Sequence, residues 1–402
     1  MKKPSIIKFT NLYQEYASLV TDAPPIYAKW MSYVILSSVL NRNIWMRFGY
    51  RKIYPNMYIL LVGPSSVYRK SYSQNLACNF IEKIYPDFYI PDISSREAFL
   101  AEMCREDRIP GGVGLVKIDE MSGFLRKVRV SQHFASMIED LSSLFDGSRF
   151  RRRKGVDEKE KVIYNIEEPF LNITAACSED WLNKTVETSD IAGGFLARFI
   201  WVIPPNKLGP HWAEPGEDNP EHRGVLVHKL MELKDFIGEI MWGKEGRKKW
   251  KEWYSSFRNK FQGGRWDAHY ERLTLQTRKL AMLNAAQRLD YHINEEDLEM
   301  ALDMTHDAVK RLDDIVVGEN KDEVVRNKIL RKLRAAYPEF ISRSQLLNIM
   351  PGVDAFHLTS AMDTLDKSEL IDIEIIPSGA ANNKRAKTMY RFAMNHHKEN
   401  ND

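Results

Sequence analysis

Cysteine is scarce: Cys78, Cys104 and Cys177 are the only three in 402 residues. Three scattered thiols cannot build a disulfide framework, and without a C-x-x-C or Cys/His cluster a structural zinc site is not expected. Long hydrophobic runs are also missing. The longest apolar-rich stretch, Trp30 to Leu40, is about half the ~20 residues a membrane span needs. The opening Met-Lys-Lys-Pro-Ser shows no apolar core of a secretory signal. Gly 21 and Pro 17 are ordinary counts, which excludes collagen-like and low-complexity classes. No charge excess exists either: Lys+Arg 58 against Asp+Glu 55 gives +3, and that balance taken whole predicts no polyanionic partner. What remains, 44% hydrophobic and 28% charged residues, predicts a soluble, cytoplasmic globular chain of about two to three domains.

Apolar periodicity predicts helix over 11–46, with Thr21 and Asp22 as N-caps and Pro24-Pro25 at a helix start. Short continuous apolar runs then recur at 57–62, 113–118, 170–176 and 199–203, with helical segments between them. Buried strands alternating with helices predict an α/β fold with a parallel sheet. A Pro/Gly/acidic loop at 206–219 precedes a helical region over 222–316, broken at Gly263-Gly264, and a linker at 317–323. No internal repeats are visible.

The first strand runs into Gly63-Pro64-Ser65-Ser66-Val67-Tyr68-Arg69-Lys70-Ser71 and then a helical pattern. This is the context of a phosphate loop, whose amides at the helix start cradle phosphates. Lys70 would reach the β/γ-phosphates of ATP, and the Ser71 hydroxyl would bind Mg²⁺. The loop is one residue longer than the standard pattern, and Arg69 stands where a glycine precedes the lysine; Arg69 is expected to avoid a positive φ. The second strand ends in Asp119-Glu120. Asp119 would hold Mg²⁺ and Glu120 would polarise the attacking water, the division of labour metal-assisted phosphoryl transfer needs. Together, in this order, the two motifs predict a P-loop NTPase. The third strand ends in small polar residues, so Thr174, Cys177 or Ser178 would sense the γ-phosphate. Arg198, with no charge partner foreseen nearby except Asp190, would act as an arginine finger in a neighbouring subunit's site.

Four motifs in this order resemble the ATPase core of ring-forming AAA+ helicases of the MCM type. More closely they resemble helicase-like ATPases of phages, plasmids and other mobile elements. The likeness covers about 10–315. It includes the Thr21-Asp22-Ala23-Pro24-Pro25 lead-in, the phosphate loop without a second glycine, and Arg198-Phe199. It implies a helical lead-in (1–50), a P-loop AAA+ ATPase core (51–205), a helical lid (206–320), a C-terminal winged helix (321–395) and a polar tail (396–402). It also implies ATP hydrolysis at subunit interfaces of a homo-oligomeric ring, expected to be a hexamer. MCM-type sensors usually carry Asn where this chain has Cys177. The lid would supply a second sensor arginine, Arg278 or Arg272, from an amphipathic helix with its basic residues on one side.

Between the second and third strands, Arg149, Arg151, Arg152, Arg153 and Lys154 place five cations in six residues, followed by Gly155 and another strand-like piece. Like charges so clustered repel one another without an anionic partner. The resemblance implies a pore hairpin gripping DNA phosphates, of a single strand or a fork, without reading sequence. Arg126, Lys127 and Arg129 would line the same channel. The last unit predicts helices at 324–336, 344–349 and 355–367, a strand at 370–375, and a wing over 377–387 with Lys384, Arg385 and Lys387 as further DNA contacts. The leading expectation is an ATP-dependent DNA helicase or translocase of a mobile element. A non-helicase ATPase switch that assembles on DNA and recruits partners is the alternative. A DNA-binding protein with a degenerate nucleotide site is a third reading.

Overall fold

A computed structural model gives the fold. It describes residues 8–90, 95–105, 109, 111–134, 136–147, 149–154, 162–178, 194–205, 215–258, 267–312, 321–349, 355–368, 370–376 and 387–393. The chain divides into two compact units, Met1–Ile315 and Val316–Asp402. No helix among the described residues is long and apolar enough to cross a membrane.

The first unit begins with α1 (Phe9–Val20) and α2 (Pro25–Leu40). Pro25 takes the first helical position, where its missing N–H costs nothing. Neither Thr21 nor Asp22 caps α2: its N-cap is Pro24, and the Thr21 hydroxyl accepts the Ala23 N–H instead. Twelve of the sixteen residues of α2 are buried, so it is a core helix on nearly every face. A polar network pins it to the sheet. Ser37 donates to the Pro55 carbonyl (2.8 Å) and to Asn172 Oδ1 (3.0 Å), and Asn172 donates to Ser38 (2.9 Å).

The helix expected to reach residue 46 stops at Leu40. A hairpin follows, β1 (Ile44–Phe48) and β2 (Arg51–Ile53), turning at Gly49-Tyr50. Gly49 supplies the positive φ (61°) the tight turn needs. The core then alternates β3 (Tyr58–Val62), α3 (Lys70–Ile84), β4 (Tyr89–Ile90), α4 (Arg96–Met103), β5 (Val113–Ile118), α5 (Met121–Val130) and α6 (Met137–Phe145). A second hairpin, β6 (Phe150–Lys154) with β7 (Val162–Ile166), precedes β8 (Phe170–Cys177) and β9 (Phe199–Val202). Five strands form one parallel sheet in the order β4-β5-β8-β3-β9. Every residue of β3, β8 and β9 is buried, as a sheet covered on both faces requires.

Four helices complete this unit: α7 (Pro220–Lys234), α8 (Lys244–Arg258), α9 (Asp267–Ala286) and α10 (Glu295–Lys310). Short strands interrupt what reads as continuous helix: β10 (Gly238–Glu239), β11 (Met241–Trp242) and β12 (His292–Ile293). An Asn294/Asp297 capping box starts α10. The amphipathic helix expected around Glu271–Ala281 is a buried one: in α9, Gln276, Thr277, Lys279, Asn284 and Gln287 just beyond it are all buried polar groups.

In the second unit, α11 (Lys321–Ala336), α12 (Arg343–Ile349) and α13 (Ala355–Lys367) accompany an antiparallel sheet. That sheet is made by β13 (Ile341–Ser342), β14 (Ile371–Ile376) and β15 (Lys387–Phe392) in the order β13-β15-β14. Val325, Ile329, Leu333, Leu346, Leu358, Met362 and Leu365 form its core. Lys384 and Arg385 lie outside the described residues, as does the side chain of Lys387.

Candidate nucleotide site

The carboxyl ends of β3 and β5 open onto a cleft of about 610 Å³. In open parallel sheets this edge is where ligands bind. Its wall includes Ser65, Ser66, Arg69, Lys70, Ser71, Asp119 and Glu120, together with Thr21, Asp22, Tyr72 and Pro215. The strand order puts β8 between β3 and β5, so residues from two non-adjacent strand tips meet around the tip of a third.

The loop's shape follows from close packing as well as from glycine. Gly63 has no room for a side chain: a Cβ there would lie 2.5 Å from the Tyr68 ring and 2.7 Å from the Tyr27 hydroxyl. Tyr27, on α2, donates to the Val62 carbonyl (2.7 Å), and the Gly63 N–H donates to the Cys177 carbonyl. Pro64 begins the exposed part of the loop. Contrary to expectation, Arg69 does adopt a left-handed backbone (φ 49°, ψ 35°), as the N-cap of α3, and Ser66 also has a positive φ of 65°. Such a conformation costs a non-glycine residue about 1 kcal/mol. The surroundings hold it there, with the Arg69 guanidinium 3.2 Å from Asp22. Asp22 is therefore a loop tether instead of a helix cap.

No side chain caps α3, and its first turn carries no acid. Its leading amides and the positive end of its dipole thus suit an anion. Lys70 Nζ donates to the carbonyls of Gly63 (2.6 Å) and Pro64 (2.9 Å), which curls the side chain back over the loop. Across the cleft, Lys117 bridges Asn75 of α3 (2.7 Å) and Asp119 (3.1 Å), fixing the acidic strand tip against the loop helix. Glu120 accepts the Ser122 hydroxyl at 2.7 Å and is exposed. Hydroxyl and carboxylate oxygens from Ser71 and Asp119 are hard donors of the kind Mg²⁺ takes.

The three sensor candidates separate. Thr174 is fully buried and accepts from Gln74 Nε2 at 3.1 Å, inside the core. The Cys177 side chain is fully buried beside Val62. Ser178, just past the end of β8, is half-buried, and none of the three candidates is among the residues lining the cleft.

The candidate arginines lie elsewhere. Among the described residues, the cleft wall does not include Arg198, Arg272 or Arg278. Phe199 pairs with Tyr58, the first residue of β3, which puts Arg198 at the opposite end of the sheet from the loop. It is not without a local partner: it pairs with Asp146 at 2.6 Å and donates to the Gly194 carbonyl at 2.7 Å. Asp190 lies outside the described residues. Asp146 also binds Arg272 at 2.7 Å. Arg278 sits between the rings of Phe48 (4.3 Å) and Trp250 (4.5 Å), and burial lowers its pKa to about 10. Lys279 is buried and donates to Asn56; burial lowers it to about 7. The basic residues of α9 thus point three separate ways instead of forming one face. Asp146, Asn56 and the Tyr27/Tyr68 clasp have no motif and are visible only in the fold.

His269 is buried against Trp201, and burial pushes its pKa down from 6.5 to about 3. The folded state holds it neutral, while the unfolded chain protonates it below 6.5. Its contribution is therefore complete above that value and lost as the pH falls toward 3. Between about pH 7 and pH 5 the wild type is expected to lose about 2 kcal/mol more stability than His269→Phe, from this group alone. Denaturant unfolding at both pH values measures it; parallel losses in the two proteins would refute the assignment.

On the β6–β7 hairpin, Phe150 and Ile166 are buried and anchor its base, and Arg151 is exposed. Arg149 pairs with Glu167 at 2.8 Å. Arg152, Arg153 and Lys154 are placed by register opposite Tyr164, Ile163 and Val162; their side chains are outside the described set, as are Asp157, Glu158 and Glu160. Arg126, Lys127 and Arg129 lie exposed on the second half of α5.

No protein-family model matches the chain, and no curated protein matches it.

Proposed function

We propose that the chain is an ATP-dependent DNA translocase or helicase of the MCM-like AAA+ kind, working as a homo-oligomeric ring. The observation that carries this reading is the cleft. Lys70 and Ser71 from the start of α3 and Asp119 and Glu120 from the tip of β5 line one cavity, though about fifty residues separate them. Lys70 and the α3 amides would hold the phosphates, and Glu120 would orient water toward the γ-phosphorus, releasing ADP and phosphate. Ser71 and Asp119 would hold Mg²⁺, which when bound neutralises charge on the phosphate oxygens. Arg198 lies about 15 Å along the sheet from its own loop, at ~3.3 Å per strand residue. Its finger role is therefore one toward a neighbouring copy. The β6–β7 hairpin would grip DNA phosphates. The second unit, three helices with a three-stranded antiparallel sheet, is read as a winged helix.

Purified chain is expected to hydrolyse ATP, to do so faster with single-stranded DNA, and to stop when Mg²⁺ is chelated. Absence of phosphate release with ATP, Mg²⁺ and single-stranded DNA all present would defeat the proposal.

A further inference from the structure

The β1–β2 hairpin has no part in the site above. Residues 44–53 contain three aromatics, three cations and no carboxylate. Ile44 and Met46 are buried and hold the base in the core, and Ile44 and Trp45 pair in parallel with Gly238 and Glu239. Trp45 and Ile53 are half-buried against the core, and Arg47, Phe48, Tyr50, Arg51 and Lys52 are exposed. Tyr50, at the tip, is 93% exposed and Phe48 is 45% exposed. Cations lie over the rings: Arg51 over Tyr50 (5.5 Å), Lys52 over Trp45 (4.9 Å) and Arg278 over Phe48 (4.3 Å). Arg47 pairs with the half-buried Glu239 at 3.1 Å, and Lys52 reaches the exposed Glu168 at 3.9 Å. Among the described residues Arg51 forms no ion pair.

A rigid hairpin that displays an aromatic tip to water, flanked by cations, is out of balance by itself. It exposes the Tyr50 and Phe48 rings to water, and while Arg47 and Lys52 have carboxylate partners, Arg51 beside the tip has none among the described residues. A single strand of nucleic acid supplies both missing partners: π-faces for the rings and phosphates for the cations. A duplex offers phosphates alone, because its bases are stacked on each other. The hairpin also sits beside the basic one. Lys52 and Arg42 both touch Glu168, and Arg149 touches Glu167, so the turn before β8 joins the bases of the two hairpins.

We infer that the β1–β2 hairpin is a second contact for single-stranded DNA, with Tyr50 stacking on a base and Arg51 meeting a phosphate. The inference shares with the proposed function the premise that the chain handles DNA, and is independent of the ATP chemistry.

The test is fluorescence anisotropy of the full chain with a labelled oligo-dT and with a duplex of the same length. Tyr50→Ala is expected to weaken oligo-dT binding about fivefold or more and to leave duplex binding unchanged. Tyr50→Trp should restore it. Arg51→Ala should lower the salt slope by about one. Tyr50 is exposed, so unfolding midpoints of these variants should match the wild type. A quadruple alanine variant at Arg151, Arg152, Arg153 and Lys154 serves as the reference. If that variant loses binding and Tyr50→Ala does not, this inference is overturned and the proposed grip stands. Equal losses on single strand and duplex overturn the stacking role. A wild-type chain that binds neither overturns both.

Discussion

Replacement of Lys70 by alanine is expected to weaken ATP binding about tenfold or more and to lower hydrolysis by about two orders of magnitude. A hydrogen bond to a charged group contributes about 1.5–3 kcal/mol, and a preorganised donor at developing charge is worth about 10²–10³ in rate. Lys70 is the cation at the start of α3 that lines the cleft and can swing from the Gly63 and Pro64 carbonyls toward phosphate oxygens. Glu120→Gln separates binding from chemistry. Its Ser122 partner can still donate to the amide oxygen, so the local fold is kept. It should bind ATP as the wild type does and lose about 10²–10⁴ in rate, the usual worth of a positioned acid or base. Equilibrium binding of a fluorescent ATP analogue and phosphate release, measured on both variants, give the two quantities. Wild-type hydrolysis in Glu120→Gln would remove Glu120 from the mechanism.

Arg198→Ala is expected to lower hydrolysis by about 10³ or more, the scale of an arginine finger. The discriminating measurement is a mixture. In a shared-site ring, Arg198→Ala subunits keep an intact loop and Lys70→Ala subunits keep an intact finger. An equimolar mixture of two inactive proteins should therefore regain about a quarter of wild-type activity, since half the loops are intact and half of those meet an intact finger. A purely structural Arg198 would show a lowered unfolding midpoint and no recovery on mixing. The geometry limits the structural cost. To reach a neighbour Arg198 must leave Asp146, and a partly buried carboxylate stripped of all partners is expensive. Arg272, 2.7 Å from the other oxygen, keeps Asp146 paired in the meantime.

Four of the five parallel strands were legible because they are buried on both faces and read as continuous apolar runs, β5 spanning Val113–Ile118 as expected, whereas the two-residue edge strand β4, with Tyr89 only half-buried, leaves no such run. The loop and the acidic tip stood out because each follows an apolar strand run, and the fold brings both to one cleft. The β1–β2 hairpin was missed because Trp45, Met46 and Phe48 extend the apolar spacing of α2, and the break at Gly49-Tyr50 is a single tight turn. Arg69 was misjudged because backbone conformation there is set by tertiary contacts, Asp22 among them, which no local pattern encodes. Arg198 looked solitary because its partner, Asp146, lies 52 residues away. The α9 helix read as amphipathic because Arg272, Arg278 and Lys279 count as polar, whereas one is ion-paired, one is held between aromatic rings and one is buried.

The clasp around Gly63 has a mechanical meaning. Phosphate loops are usually free to flex at their glycines, and such freedom is lost on binding. Here Tyr68 fills the space above Gly63, and Tyr27 ties Val62 to α2. The loop is ordered in advance, so the phosphate binding proposed above would surrender less entropy. The same hydroxyl makes α2 a lever: a shift of this core helix, wherever it is pushed, is transmitted to the loop backbone through one 2.7 Å bond.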